Sequence, residues 1–245
     1  MLLALLSDIH GNRQAFAACL EAVRASDAER LVLLGDLVGY GGDPGWAVDT
    51  AMGLVEQGAI AVRGNHDSAI LRSENMNAAA RTAIEWTRNR LSAAQREFLA
   101  GLPLTHEEED RLYVHAEASR PERWRYVQSA DDAADSLLAT KAQITFCGHV
   151  HQPAIYSMPS TGKITSVRPA TGIPVQLQSG RQWLVVAGSV GQPRDDNPAA
   201  CFLTYDTRSR EVTYCRVAYD IEMAQRRIRD GGLPEWLAER LAQGR

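Results

Sequence analysis

Cysteine is scarce in this 245-residue sequence, and its four copies show no spacing typical of a metal ribbon or a redox site. Cys19, Cys147, Cys201 and Cys215 are far apart in the chain, and none of them belongs to a Cys-x-x-Cys pair. Two of them lie inside apolar runs, where a thiol packs as a small hydrophobic side chain. This usage disfavours a cysteine-rich zinc site and predicts reduced, buried thiols in a cytoplasmic protein.

Long apolar runs and an excess of basic residues are also missing. No run approaches the length of a membrane span. The apolar start, residues 1–6, is short and has no basic leader, so we predict a buried strand and not a signal peptide. Lys and Arg total 26 against 30 Asp and Glu, giving a net charge of −4. This balance disfavours a nucleic-acid partner and therefore a nuclease.

The rest of the composition is that of an ordinary globular protein. Apolar residues make up 45% and charged residues 23%, which argues against a disordered or fibrous chain. The length favours one domain over two. We therefore predict a single domain over residues 1–245, with C-terminal helices within 220–243 docked on it. The sequence indicates no particular oligomeric state.

Short apolar runs alternate with amphipathic stretches in the first half of the chain. The runs are residues 2–6, 31–34 and 59–62, and the helical stretches between them are residues 12–23 and 43–56. Fully apolar runs are typical of strands that are covered on both faces. This order predicts an α/β layer with a parallel sheet.

Later segments predict a different arrangement. Helices are expected within 77–99, and short strands at 102–104 and 112–114 are expected on either side of an acidic turn at 107–110. The second half has short strands divided by Gly, Pro, Ser and Asp, a pattern that predicts an antiparallel sheet.

Polar residues of metal-ligand type follow five of the predicted strands. They are Asp8 and His10, Asp36, Asn65 and His66, His115, and finally His149 and His151. Ligands of open α/β sheets bind beyond the carboxyl ends of the strands, so one cleft can collect all five segments.

The residue types narrow the kind of metal. Carboxylates, an asparagine and neutral imidazoles without a thiolate suit Mn, Fe, Zn or Co. Seven ligands, with His66 left out, are too many for one tetrahedral ion. Two ions that share a bridging carboxylate would use them all.

In order along the chain, these segments read Asp-x-His, Gly-Asp, Gly-Asn-His, a lone strand-end histidine and Gly-His-x-His. The set resembles the calcineurin-like metallophosphoesterase superfamily over residues 8–151. The segments GDLVGYGGDP at 35–44 and GSVGQPR at 188–194 further resemble its small prokaryotic phosphodiesterase branch. The resemblance implies a four-layer α/β/β/α sandwich of two mixed sheets flanked by helices.

The resemblance also implies roles for individual residues. Asp8, His10 and His151 would bind one divalent ion, while Asn65, His115 and His149 would bind the other, and Asp36 would bridge them. Manganese is the expected metal, with Fe, Zn, Co or Ni as alternatives. The ions would generate a bridging hydroxide that attacks phosphorus, and His66 would protonate the leaving oxygen.

One segment departs from the family's protein phosphatases, whose second motif is GDxxDRG. Gly39 and Tyr40 stand here in place of its second Asp and its Arg. A phosphoprotein phosphatase is therefore disfavoured, and Asp67 becomes a candidate for orienting His66. The expected function is hydrolysis of a small phosphate ester, a diester first and a nucleotide or metabolite monoester as the alternative. A catalytically silent scaffold is a further alternative, which the complete ligand set disfavours.

Three residues are candidates for contacting the substrate: Asn12, Tyr40 and Arg194. Arg194 lies in a Gly/Pro-bounded loop and either binds phosphate or remains a surface arginine. Trp124 and Tyr126 either stack on a nucleobase or pack as part of an edge strand or loop.

Overall fold

The computed structural model describes residues 1–71 and 78–245. Within these ranges it contains twelve β-strands, eight α-helices and one short 3₁₀ helix, and the strands form two six-stranded sheets. The two sheets pack face to face with helices on their outer faces. The predicted four-layer α/β/β/α sandwich is confirmed.

The first sheet has the strand order β3-β2-β1-β11-β12-β9. Its parallel half consists of β1 (Leu2–Leu6), β2 (Arg30–Leu33) and β3 (Ile60–Ala61), connected through the helices α1 (Arg13–Arg24) and α2 (Pro44–Glu56). Its antiparallel half consists of β11 (Ala200–Asp206), β12 (Glu211–Val217) and β9 (Val175–Gln176). The parallel α/β layer expected from the first half of the chain is therefore present.

The second sheet has the order β4-β5-β6-β10-β7-β8. Its strands are β4 (Thr105–Glu108), β5 (Arg111–Val114), β6 (Ile144–Cys147), β7 (Ala154–Pro159), β8 (Thr165–Val167) and β10 (Arg181–Val186). β5, β6 and β10 are parallel neighbours, and the other pairings are antiparallel.

The strand predicted at 102–104 is wrong: the strand is β4, which includes half of the expected acidic turn. β4 is an edge strand, and edge strands tolerate charged side chains that a central strand would exclude. Glu108 of β4 pairs with Arg30 at 2.6 Å and with Arg111 at 3.3 Å, so its charge is matched by neighbouring strands.

Side chains alternate between the two faces of each strand, and this alternation divides the hydrophobic core into layers. In β1, Leu3 and Leu5 pack between the sheets, whereas Ala4 and Leu6 pack against the helical layer that contains Phe16. Successive side chains of a strand point to opposite faces, so a strand covered on both sides is apolar throughout. On the other side, α6 (Ala130–Leu138) covers the second sheet.

The helices after β3 are α3 (Asn65–Ala69), α4 (Ala78–Arg88) and α5 (Ala93–Gly101). The helices expected within 77–99 are present as α4 and α5, and residue 77 itself lies outside the described residues. The Ser92 hydroxyl accepts the Gln95 amide at 3.2 Å, and the Gln95 side chain accepts the Ser92 amide at 2.9 Å, which starts α5 with a capping box.

Two C-terminal helices, α7 (Ile221–Asp230) and α8 (Glu235–Gln243), pack beside the loop that follows β2. Their apolar residues surround Tyr40 and Trp86, and the Arg227 guanidinium donates to the Asp43 carboxylate at 2.5 Å. None of the helices in the described ranges combines the length and hydropathy needed to cross a membrane.

Candidate metal centre

The loops that follow five parallel strands meet at one end of the sandwich. β1 leads to Asp8 and His10, β2 to Asp36, β3 to Asn65 and His66, β5 to His115, and β6 to His149 and His151. The carboxyl ends of parallel strands lie at the same edge, which is why residues so distant in sequence converge.

Five of these residues have backbone conformations that are rare outside glycine. The φ angles are 54° at Asp8, 49° at His10, 52° at Asp36, 66° at His149 and 64° at His151. Left-handed backbone at non-glycine residues is costly and concentrates at functional sites. Cross-loop hydrogen bonds hold it in place, including His10 N to Asp36 O at 2.9 Å.

A first cluster contains Asp8, His10 and His151, whose candidate ligand atoms lie within 4.8 Å of one another. His10 Nδ1 is 3.2 Å from the Val38 carbonyl, and His151 Nδ1 is 2.6 Å from the Gln192 carbonyl. Because a carbonyl only accepts, both protons belong on Nδ1 and both Nε2 atoms present lone pairs. These Nε2 atoms are 3.1 Å apart, and the buried Asp8 Oδ1, to which none of the described residues donates a hydrogen bond, is 3.2 Å from His151 Nε2.

A second cluster contains Asp36, His115 and His149, again within 4.8 Å. His115 Nδ1 donates to the Leu34 carbonyl at 2.7 Å, and its Nε2 is 3.3 Å from Asp36 Oδ2 and 3.2 Å from Asn65 Oδ1. His149 donates from Nε2 to the Trp124 carbonyl at 2.9 Å, which leaves Nδ1 as its lone-pair nitrogen. Asp36 Oδ2 is also 3.7 Å from His10 Nε2, so this carboxylate lies between the two clusters.

The electrostatics of both clusters favour positive charge. Burial alone would raise the pKa of the Asp36 carboxyl, but His115 and His66 hold that pKa well below its ordinary value. Burial lowers the pKa of His115, yet Asp36 outweighs it and raises this pKa to about 9. A cation between the converging lone pairs would balance the negative charge of Asp36 in the same way as a protonated histidine. Imidazole nitrogen, carboxylate oxygen and amide oxygen all suit a divalent ion. The residues therefore fit two metal ions.

His66 lies beside the clusters and is held by packing. Its amide donates to Asp36 Oδ1 at 2.8 Å, while its ring contacts Tyr40 at 4.4 Å and His10 at 4.9 Å between centroids. Among residues 1–71 and 78–245, its buried Nδ1 has no hydrogen-bond partner. A Cβ on Gly39 would lie 2.4 Å from that Nδ1, so only glycine leaves room for the imidazole. Burial lowers the pKa of His66 to about 4, and Asp36 opposes this shift.

Asp67 does not orient the imidazole of His66. Its carboxylate accepts the amides of Leu37 at 2.9 Å, Val38 at 3.3 Å and Gly64 at 2.9 Å. Burial, with a contribution from Asp36, raises its pKa to about 7. Asp67 thus joins the loop after β2 to the loop after β3, and it acts on the centre through the backbone.

The three candidate substrate residues have different surroundings. Both polar atoms of the Asn12 side chain form hydrogen bonds within the protein. The oxygen accepts from Ala15 N at 3.1 Å and caps α1, and the nitrogen donates to the Gly191 carbonyl at 2.9 Å. Tyr40 packs on His10 at a centroid distance of 4.7 Å. The Arg194 guanidinium carbon is 5.9 Å from the Tyr40 ring centroid, and Arg194 Nη2 donates to Gln192 at 2.8 Å. Arg194 Nε has no hydrogen-bond partner in the part of the chain that the structure describes.

Sequence reasoning missed the acceptors that fix the histidine tautomers. They are the backbone carbonyls of Leu34, Val38, Trp124 and Gln192. Any residue type supplies a carbonyl, so no sequence signal marks them. Metal-bound histidines commonly donate their other ring nitrogen in this way, and the geometry alone shows it.

Fold and site together define a metallophosphoesterase. A model of the calcineurin-like phosphoesterase superfamily domain matches residues 1–210, so the chain belongs to that superfamily and the predicted resemblance is confirmed. The buried Asp and His clusters could each hold a metal ion and are consistent with the metal site of that superfamily.

Individual relatives cover the whole chain. A metallophosphoesterase from Sphaerobacter thermophilus is 33% identical, with a TM-score of 0.89 over 100% of this chain and 99% of that one. An uncharacterized protein of Methanocaldococcus jannaschii is 32% identical over 100% of this chain and 98% of its own length. A hypothetical protein from Pyrococcus horikoshii, 20% identical with a TM-score of 0.82 over 100% and 98%, shares the fold.

Proposed function

We propose that this metallophosphoesterase is a dinuclear-metal hydrolase of small phosphate esters, with diesters as its preferred substrates. One observation carries the proposal. Four imidazoles each donate a proton from one ring nitrogen to a backbone carbonyl and turn the other ring nitrogen towards Asp8 or Asp36. The facing nitrogens of His10, His149 and His151 are acceptors, and Asp36 favours a positive charge at His115. Such an arrangement is stable when cations lie between the acceptors.

Each residue then has a defined task. Asp8, His10 and His151 would hold one ion, Asn65, His115 and His149 would hold the other, and Asp36 would serve both. Manganese is the proposed metal, with Fe, Zn, Co or Ni as alternatives. When bound, the two ions would neutralise phosphoryl oxygens and lower the pKa of a water that attacks phosphorus.

Two further side chains act on the ester itself. His66, beside Asp36 and His10, is the proposed donor of the proton that the leaving oxygen takes up when its bond to phosphorus breaks. Arg194 is the proposed partner of a non-bridging phosphoryl oxygen, because its Nε is unsatisfied and it lies next to Tyr40.

The neutral ring of Tyr40 supports the preference for diesters. It packs on both His10 and His66, at the place where the protein phosphatases of the family carry an arginine. A monoester brings a second negative charge that such an arginine would stabilise, whereas a diester brings only one. With Arg194 as the one arginine proposed to contact the phosphoryl group and none at position 40, the site suits the single charge of a diester.

Turnover of bis-p-nitrophenyl phosphate against p-nitrophenyl phosphate tests this choice, since both release the same leaving group. We expect kcat/KM to be higher for the diester. A preference for the monoester of tenfold, about 1.4 kcal/mol of barrier, would establish a phosphomonoesterase instead. No hydrolysis of either by metal-loaded protein would favour a scaffold.

We also propose a cytoplasmic location. Its support is that all four cysteines are free thiols, three of them buried. Fractionation of cells that express the protein tests it, and recovery outside the cytoplasm would contradict it.

A further inference from the structure

The loop between β5 and α6 forms one wall of the metal centre. Hydrogen bonds within the loop and to α6 order it: the buried Glu117 carboxylate accepts the amides of Ser119 at 2.6 Å and Arg120 at 2.9 Å, and the Ser136 hydroxyl accepts the amide of Ala118 at 3.0 Å. A 3₁₀ helix, Pro121–Arg123, then leads to Trp124, whose φ of 53° redirects the chain. The loop is therefore built to present the residues that follow.

Trp124 and Tyr126 contact both histidines of the second cluster. The Trp124 carbonyl accepts His149 Nε2 at 2.9 Å, and the indole meets His115 edge-on with centroids 6.0 Å apart. The Tyr126 ring lies parallel to His149, with centroids 4.2 Å apart and an interplanar angle of 12°.

This stack uses only one face of the tyrosine. Tyr126 remains 47% exposed, which is high for a large side chain in contact with a buried histidine. Because His149 covers the inner face, the exposed area belongs to the outer face and the ring edges. A flat, preoriented aromatic surface thus opens to solvent beside the atoms that are proposed to bind phosphate.

On the basis of the proposed function, we propose that the outer face of Tyr126 stacks on a planar aromatic group of the substrate, a nucleobase. Every base has a π-face, so stacking on one aromatic ring selects for a base without selecting which base. The ring is already fixed by His149, so little side-chain freedom is lost when the base binds. The substrate class is then a nucleotide-containing phosphate ester.

Adenosine monophosphate and ribose 5-phosphate are suitable probes, because they share the phosphate and the ribose and differ in the base. Their dissociation constants are measured by isothermal titration calorimetry on the metal-loaded protein. We expect adenosine monophosphate to bind about 5- to 100-fold more tightly, the range of one base–aromatic stack. Tyr126→Phe keeps the ring face and should keep this ratio, whereas Tyr126→Leu should bring it close to one.

The ratio of the two constants does not depend on the fraction of protein that is active, so it stays informative if a variant loads metal incompletely. The metal content of each variant is also measured, because Tyr126 packs on His149, a proposed metal ligand. The experiment also separates this proposal from the proposed function: base-dependent binding without hydrolysis supports Tyr126 stacking and opposes the enzyme, while hydrolysis without it opposes only the stacking. Equal binding of the two probes by the unmodified protein, or an undiminished ratio in Tyr126→Leu, would overturn the proposal.

Discussion

The Nε2 atoms of His10 and His151 lie 3.1 Å apart, although both imidazoles direct their Nδ1 protons to backbone carbonyls. Two lone pairs at this distance repel each other unless a positive charge lies nearby. The protein therefore carries an electrostatic conflict at its candidate metal centre, which a bound cation would resolve.

Metal binding should accordingly stabilise the fold. With free metal at 100 times the dissociation constant, linkage gives about 2.7 kcal/mol, and this corresponds to a rise in Tm of about 5 to 10 °C over chelator-treated protein. Differential scanning calorimetry measures the shift. His151→Gln should reduce it, while His106→Gln, which changes a histidine of β4 outside the centre, should preserve it. An identical Tm with and without metal would contradict the prediction.

Asp36→Asn should remove metal from both clusters and abolish hydrolysis. The variant lowers the negative charge that both sites share, because Asp36 Oδ2 lies 3.3 Å from His115 Nε2 and 3.7 Å from His10 Nε2. Elemental analysis after dialysis gives the metal content. The exposed residue Asp27 offers a matched control, and Asp27→Asn should leave both metal and rate unchanged. Two ions retained in Asp36→Asn would show that this carboxylate does not bridge.

His66→Gln should retain metal and slow turnover by about 10²–10⁴, the usual contribution of a general acid. The loss should grow as the leaving group becomes more basic, because a poor leaving group depends most on protonation. Rates for a series of substituted phenyl esters measure this dependence. A uniform loss across the series would instead assign His66 to substrate binding.

Gly39→Ala should displace the His66 imidazole. The new methyl would lie 2.4 Å from His66 Nδ1, and the φ of +96° is unfavourable for alanine, so we expect the free energy of unfolding to fall by more than about 1 kcal/mol. Turnover should fall with metal retained. Gly53→Ala is the control: it lies within α2, where the new Cβ would meet no described heavy atom within 4 Å beyond its own helix backbone, and it should raise stability by about 0.5–1 kcal/mol. Denaturant titration and steady-state kinetics provide both readings.

Arg194→Ala should weaken productive binding of the ester. A hydrogen bond to a charged phosphoryl oxygen is worth about 1.5–3 kcal/mol, so kcat/KM should fall by about 10- to 100-fold. Arg24→Ala, at an exposed position at the end of α1, removes the same charge and should not change the kinetics. Unchanged kinetics in Arg194→Ala would place this arginine outside the substrate site.

The sequence predicted the parts of this protein that depend on pattern. Apolar runs located β1 and β2, because strands buried on both faces leave little choice of residue. Strand-end Asp, Asn and His identified the candidate ligands, because the sheet edge gathers them. β4 was misplaced since an edge strand is stabilised by ion pairs such as Glu108–Arg30, which hydropathy does not reveal.

The support around the ligands could not be predicted in the same way. The sequence shows Gly39 where the protein phosphatases have the Asp that orients the histidine. It does not show that Tyr40 packs against His66 instead, because that packing depends on the positions of α7 and α8. Asp67 was a reasonable candidate by proximity in sequence, yet three backbone amides compete for its carboxylate and bind it.

The left-handed backbone at Asp8, His10, Asp36, His149 and His151 has an evolutionary consequence. Each of these residues is held in a conformation that glycine adopts at lower energy, so the candidate metal ligands carry a cost in backbone strain. Random mutation to glycine at such positions would relieve strain while it destroys the centre.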